Sequence, residues 1–309
     1  MPIEHASVRV VHKPWGVSDL RPWSSIDGTN DAVGELWFER ADKNASIPAL
    51  LLKLLFTNEA LSIQVHPDDT FARAMGMPNG KSEAWYVLSA KPDAKIGIGL
   101  KHRITPQELR ASIRDGSIVD QVQWRPVAAG DAVFIPAGTI HALGAGIVLA
   151  EIQQHSDATF RLFDYGRGRE LHEDNSVAVA RTWPLQSAGS PIRFTGERTI
   201  LAASRYFVFE KIDLPAGSSW ALLAERETWM LVLDGHAAIG LKAVSVGEAI
   251  FANGGRSSIE VGANGLTALV AYPAAAPVAS LLQTLGEPSA GLFPRAAVPE
   301  LTGLSEVRS

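Results

Sequence analysis

GDAVFIPAGTIH, residues 130–141, holds the most informative pattern in this 309-residue chain. DAVFIP is a short apolar run that reads as a strand, Pro136 and Gly138 fix a turn, and the next strand opens on His141. The twelve residues return without a gap as GEAIFANGGRSS at 247–258, and EAWYVL (83–88) has a counterpart in ETWMLVL (227–233). One β-unit is therefore expected twice. Between the copies His141 becomes Ser258 and Pro136 becomes Asn253, so a chemical site is expected in the first half alone.

Outward from these two copies, ALLLKLLF (49–56), LSIQVH (61–66), AWYVLS (84–89) and GIVLAEIQ (146–153) are short and apolar or alternating. They read as strands. The 27 glycines and 18 prolines punctuate the chain too often for long helices, so the expected class is all-β with a few short helices. The clearest helix is TPQELRASIRDG (105–116), with Thr105 as N-cap, Pro106 at the first helical position and Gly116 at the stop. It is placed as an insertion near 105–121. A second, shorter helix is expected in PDDTFARAMG (67–76) as a lid, and a third in AAAPVASLLQTL (274–285). RTWPLQSAGSP (181–191) marks a boundary, which divides the chain into 1–185, 190–273 and a loosely packed tail, 274–309.

Composition narrows the function classes. With no cysteine, disulfides, thiolate metal sites and a cysteine nucleophile are excluded, and any metal must sit on nitrogen and oxygen. A net charge of -5 without a Lys or Arg run argues against nucleic acid or an anionic membrane as partner. No secretory signal and no membrane span are legible, so a cytoplasmic location is expected.

Gln64 and His66 stand two apart in a strand and share a face, as do Lys81, Glu83 and Trp85. A buried sheet face would normally carry Val, Ile or Leu there. The Gly130, Pro136, Gly138, His141 pattern resembles the second conserved motif of the cupin family, small β-barrels that hold a metal between two sheets. Gln64, His66, Glu83 and His141 together would make a zinc-type site of two imidazoles, one carboxylate and one amide.

ALSIQVHPDD (60–69), KSEAWYVL (81–88) and PAGTIHALGAGIVLAEIQQHSDATFRLFDYGR (136–167) resemble, in order, the type I mannose-6-phosphate isomerase family, zinc-dependent and built from cupin domains. The seventeen residues from His66 to Glu83 depart from the general cupin spacing and fit that of the isomerases. The resemblance implies two tandem jelly-roll-like barrels, the second degenerate, and one Zn2+ per chain on Gln64, His66, Glu83 and His141. It implies Arg161, Lys81, Glu151 and Asp157 as catalytic residues and Ser62 and Lys53 near a sugar-phosphate substrate, in a monomer or homodimer. The reaction would interconvert mannose 6-phosphate and fructose 6-phosphate through a cis-enediol.

Several alternatives stay open at this stage. The base is Glu151, Asp157 or a metal-held water. Odd positions from 151 to 161 share one face if the stretch is extended, and a turn at HSD would break that register. Lys53, inside LLLKLL, competes with a reading as a solvent-exposed strand-edge residue. Where larger relatives carry an AGLTPK-like sequence this chain has RLFDYGRGRE, so Tyr165, Arg167 or Arg169 would replace that lysine. WGVSDLRPW and GELWFE read as barrel packing, with Trp15 or Trp37 at the border of the pocket as the competing reading, and the second copy keeps Glu227 without histidine partners apart from a poorly placed His236. The competing functions are a non-haem iron oxygenase on the same ligands and a non-catalytic sugar-phosphate binding cupin.

Overall fold

The computed structural model describes residues 3–26, 31–185 and 189–285. They divide into two compact units, one within Ala6–Ser187 and the other combining Met1–His5 with Ala188–Ser309.

In the first unit the strands are β2 (Ser7–Val17), β3 (Val33–Glu39), β4 (Leu50–Thr57), β5 (Ile63–Val65), β6 (Glu83–Ala90) and β7 (Lys95–Leu100). They continue as β8 (Val122–Pro126), β9 (Ala132–Ile135), β10 (His141–Leu143), β11 (Ile147–Gln154) and β12 (Phe160–Phe163), while β1 (Glu4–His5) belongs to the other unit. Two antiparallel sheets result, a six-stranded one ordered β2-β3-β4-β11-β6-β9 and a five-stranded one ordered β12-β5-β10-β7-β8. The turn expected after DAVFIP is present, with Gly138 at φ +84 where a side chain would be strained.

Alternation sorts the residues of each sheet between its faces. On β5, Ile63 and Val65 join an apolar cluster with Leu109 and Ile113 of α2 (Pro106–Asp115), leaving Gln64 on the opposite face. On the six-stranded sheet, Trp85, Val87, Val133, Ile135, Leu55 and Leu149 pack into one core. The same face carries Lys53, Glu83 and Glu151 further along the strands. The barrel is thus apolar in one half and polar in the other.

Of the helices, α1 (Asp69–Ala74) follows His66 and is capped by the Asp68 carboxylate on the Phe71 amide. α2 carries the expected N-cap at Thr105, a reciprocal pair of bonds with Glu108, and Gly116 left-handed at its end. α3 (Ile118–Gln121) and α4 (Glu173–Val179) complete the helical cover. None of the helices among the described residues is long and apolar enough to cross a membrane.

The second unit repeats the plan. Its strands are β1, β13 (Ile192–Arg193), β14 (Arg198–Ala203), β15 (Val208–Leu214), β16 (Ser219–Leu223) and β17 (Thr228–Ile239). β18 (Lys242–Ser245), β19 (Ala249–Ala252), β20 (Arg256–Tyr272) and β21 (Leu282–Thr284) follow. The order β19-β17-β20-β15-β14-β13 mirrors β9-β6-β11-β4-β3-β2 of the first unit. Residues 274–285 are not an α-helix: a 3-10 turn at Ala279–Leu281 leads into β21, which pairs with β16. The remainder of the expected tail, 286–309, lies outside the described residues, as do 186–188 of the boundary segment.

Strand register corrects the sequence alignment of the repeat by one residue. Trp85 lies opposite Val133 in the first unit. In the second, Met230 lies opposite Ile250, the counterpart of Val133. Thr228 therefore holds the position of Glu83, and Glu227 falls on the other face, because a slip of one residue reverses a strand's faces. Ser258, which replaces His141, pairs with Ala221 where His141 pairs with Gln64. The four positions that would bind metal are thus occupied by Ala221, Leu223, Thr228 and Ser258.

Candidate metal centre

Three strands of the five-stranded sheet meet at Gln64, with His141 of β10 on one side and Arg161 of β12 on the other. Glu83 comes from the six-stranded sheet, where it lies opposite Ile135 and Gln153. The ligand atoms of His66, Glu83 and His141 all lie within 4.8 Å of one another, and all three residues are buried.

Hydrogen bonds orient both imidazoles. His66 Nδ1 lies 2.7 Å from the Ala158 carbonyl and His141 Nδ1 lies 2.9 Å from that of Thr139. A carbonyl requires the proton on Nδ1, so each Nε2 presents a lone pair. These lone pairs face carboxylate oxygens: His66 Nε2 is 3.4 Å from Glu83 Oε2, and His141 Nε2 is 3.3 Å from Oε1. Acceptors opposing acceptors in a buried site need a cation between them. On the His66 side Lys81 Nζ lies 2.6 Å from Glu83 Oε2 and 3.1 Å from His66 Nε2. On the His141 side Glu83 Oε1 is buried without a hydrogen-bond partner. This donor set fits a metal ion.

Protonation follows the same geometry. Burial, then the Lys81 ammonium, pushes His66 down to about 3, and burial also lowers His141. Burial opposes ionisation of Glu83, but the Lys81 ammonium beside it holds that carboxyl well below its usual range. Neutral imidazoles with an ionised carboxylate are the states in which these residues bind metal.

The amide oxygen of Gln64 accepts from Ser62 Oγ at 3.2 Å, and its Nε2 lies 3.3 Å from His141 Nε2. Ser62 thereby touches the site through Gln64. Rotation of the amide would exchange oxygen for nitrogen at the imidazole.

Lys53 is buried, not exposed at an edge: it lies in the middle of β4, opposite Glu151 on one side and Trp37 on the other. Its Nζ is 3.6 Å from Glu151 Oε1, and Lys81 Nζ is 3.9 Å from the same oxygen. Glu151 Oε2 accepts from Trp85 Nε1 at 3.1 Å. Burial raises the Glu151 pKa despite these ammonium groups.

The face expected to continue from 151 to 161 is broken, since β11 ends at Gln154 and β12 starts at Phe160. Glu151 and Arg161 consequently lie in different sheets. Asp157 is exposed on the connection between them, next to the Ala158 carbonyl that orients His66. Of the residues expected to replace a lysine, Arg169 makes a two-point contact with Asp164 and Tyr165 is partly exposed in a left-handed conformation. Arg167 donates Nη2 to the Ala60 carbonyl, and its Nη1 is buried without a partner.

Sequence reasoning missed Glu35. GELWFE is not only packing: Glu35 Oε2 lies 3.4 Å from Lys53 Nζ and accepts from Trp37 Nε1 at 2.7 Å. The available signal was a carboxylate set among the apolar residues of VGELWF.

No family model matches the chain. The mannose-6-phosphate isomerase of Streptococcus mutans is 32% identical over 237 residues, covering 64% of this chain and 75% of that protein. The mannose-6-phosphate isomerase ManA of Bacillus subtilis is 39% identical over 198 residues, covering 59% of this chain and 60% of that one. Among solved structures, the Bacillus subtilis mannose 6-phosphate isomerase superposes with a TM-score of 0.77 at 24% identity, over 88% of this chain and all of its own. A Salmonella typhimurium phosphomannose isomerase mutant gives a TM-score of 0.70 at 16% identity over 88% of this chain. At these identities the superpositions speak for the fold, whereas the sequence matches carry the kinship: the chain belongs to the mannose-6-phosphate isomerase family.

Proposed function

We propose that the first barrel, within residues 6–185, interconverts mannose 6-phosphate and fructose 6-phosphate with one zinc ion on His66, Glu83, His141 and Gln64. The observation that carries this reading is Glu83, whose two oxygens face the two imidazole lone pairs in a chain of the isomerase family. Nitrogen and oxygen donors without sulfur suit zinc. When bound, the ion supplies Lewis-acid stabilisation of negative charge on the sugar oxygens.

The chain's own residues supply the rest. Moving a proton between C2 and C1 through a cis-enediol needs a group that takes a proton from carbon and returns it. Glu151 fits that role, since burial makes its carboxyl hold a proton readily while Lys53 and Lys81 lie beside one oxygen. The exposed Asp157 does not meet that requirement. Lys81 neutralises Glu83, and Burial of Lys81 is offset by Glu83 and Glu151, which keep it charged. Arg161, across from Gln64, offers positive charge to the enediolate, and Arg167, one nitrogen of which has no partner, is our candidate for the cation that meets the phosphate. The second barrel is structural. The oxygenase and binding-only alternatives draw no support from the relatives.

A coupled assay on mannose 6-phosphate tests the reading, run on protein as purified, after chelation, and after zinc is added back. Turnover abolished by chelation and restored by zinc is expected; turnover that survives complete metal removal would overturn it.

A further inference from the structure

Glu35 is the buried carboxylate of this cluster that the reaction scheme leaves without a task. It lies in β3, two residues before Trp37, and its side chain joins three partners. Oε2 accepts from Trp37 Nε1 at 2.7 Å and lies 3.4 Å from Lys53 Nζ, while Oε1 lies 3.3 Å from Lys13 Nζ. Lys53 Nζ in turn sits 4.1 Å from the centre of the Trp37 ring. Beyond Lys53 the charges keep alternating. Glu151 follows at 3.6 Å, Lys81 at 3.9 Å and Glu83 at 2.6 Å, so one row of six charges runs from half-exposed Lys13 to the metal triad.

The outer end of this row is built into the backbone. A Cβ at Gly34 would come within 2.5 Å of Lys13 Cβ and Cγ, so the glycine before Glu35 leaves the room in which Lys13 lies. A buried lysine on its four-carbon stem has many rotamers, and two partners at right distances are needed to hold its ammonium in one place. Glu35 and the face of Trp37 provide these on the side away from Glu151.

We propose that Glu35 is a positioning residue of the isomerisation site: it holds the Lys53 ammonium against Glu151 Oε1 and thereby fixes the orientation of the carboxyl that handles the proton. The proposal rests on the isomerase reading of the first barrel. Glu35 touches neither the metal triad nor, through any contact described above, the sugar. Its contribution is therefore to kcat, with little effect on metal retention.

The test is a double-mutant cycle with Glu35→Gln, Lys53→Met and the pair, alongside Glu35→Asp, on zinc-loaded protein. Steady-state kinetics on mannose 6-phosphate, metal content and thermal midpoint are read for each. Glu35→Gln is expected to lower kcat about 10- to 100-fold, the order of effect of a misplaced catalytic group. KM should stay within about threefold and zinc at one per chain. Glu35→Asp, which keeps the charge, should retain more kcat than Glu35→Gln, and the double variant should be no slower than the slower single one. Unchanged kcat in Glu35→Gln overturns the proposal, as do losses that multiply in the double variant or that merely follow the folded fraction. A wild-type protein that binds zinc but does not turn over the sugar phosphate overturns the isomerase reading itself, and the role of Glu35 in turnover with it.

Discussion

His66 and Glu83 show how the site divides between binding and chemistry. Both face each other's lone pairs within a buried space, so removing either leaves too few ligands for the ion. His66→Ala and Glu83→Gln should lose zinc and turnover together, as read by elemental analysis beside the coupled assay. On the proposed reaction Arg161→Ala should keep zinc and lose about 100-fold or more in kcat, the order of effect of removing a positive charge aimed at developing negative charge. Burial also makes His66 a source of acid sensitivity in the metal-free protein. Its folded pKa of about 3 lies below the ordinary value of 6.5, so between these limits the unfolded chain binds a proton that the native state refuses. Stability must then fall as pH drops from about 6.5. His141 and Glu83 act in the same direction, and the raised carboxyl of Glu151 acts in the opposite one. Urea titrations of metal-free protein between pH 7 and 5 should show a steeper loss for wild type than for His66→Gln, by up to about 1.4 kcal/mol per pH unit for one proton. The ligand types and their spacing were legible in the sequence. The tautomers were not, because the carbonyls of Ala158 and Thr139 that set them are provided by loops whose course only packing defines.

Strand registers carry the comparison between the two barrels. In β15, Glu210 lies opposite Val270, which lies opposite Met230. That chain of neighbours matches Lys53, Glu151 and Trp85 in the first barrel. Glu210 thus stands where Lys53 stands, but its partners close on themselves. Arg198 contacts both its oxygens at 2.8 Å, the Tyr272 hydroxyl donates to it, and the Val278 amide donates to that hydroxyl at 3.0 Å. The polar floor of the second barrel is a sealed ion pair with no metal triad above it among the described residues. Since Arg198 is 2% exposed, Glu210→Gln would leave a buried guanidinium without its anion. Chemical denaturation should show a loss of about 3–5 kcal/mol. The repeat was legible as a repeat, yet the match of EAW to ETW pointed to Glu227 as the counterpart of Glu83. Sequence similarity aligned the two tryptophans, whereas the pairing of β17 with β19 aligns Thr228 with Glu83.

At the scale of the whole molecule, metal should stabilise the residues that surround it, because a ligand bound only by the native state adds to its stability. Hydrogen exchange with and without chelator should show faster exchange in 63–66, 83–87 and 141–143 once zinc is removed, with 198–203 and 266–272 unchanged. Equal acceleration throughout the chain would contradict a single centre in the first barrel. The amino-acid sequence by itself determined an all-β chain with a duplicated unit, a helix at 106–115 with its caps, and nitrogen and oxygen as the sole metal donors. These follow from local rules: alternation, turn chemistry, capping and the absence of cysteine. Only the tertiary structure decided that Lys53 is buried, that Glu35 stands behind it, that Glu151 and Arg161 come from different sheets and that Thr228 replaces Glu83. Lys53 inside LLLKLL can be buried because Glu35 and Glu151 flank it, and these come from strands separated by more than a hundred residues of chain. A charge is affordable in a core only beside its opposite, and which strand brings that opposite is a matter of pairing between distant segments, which no local pattern encodes.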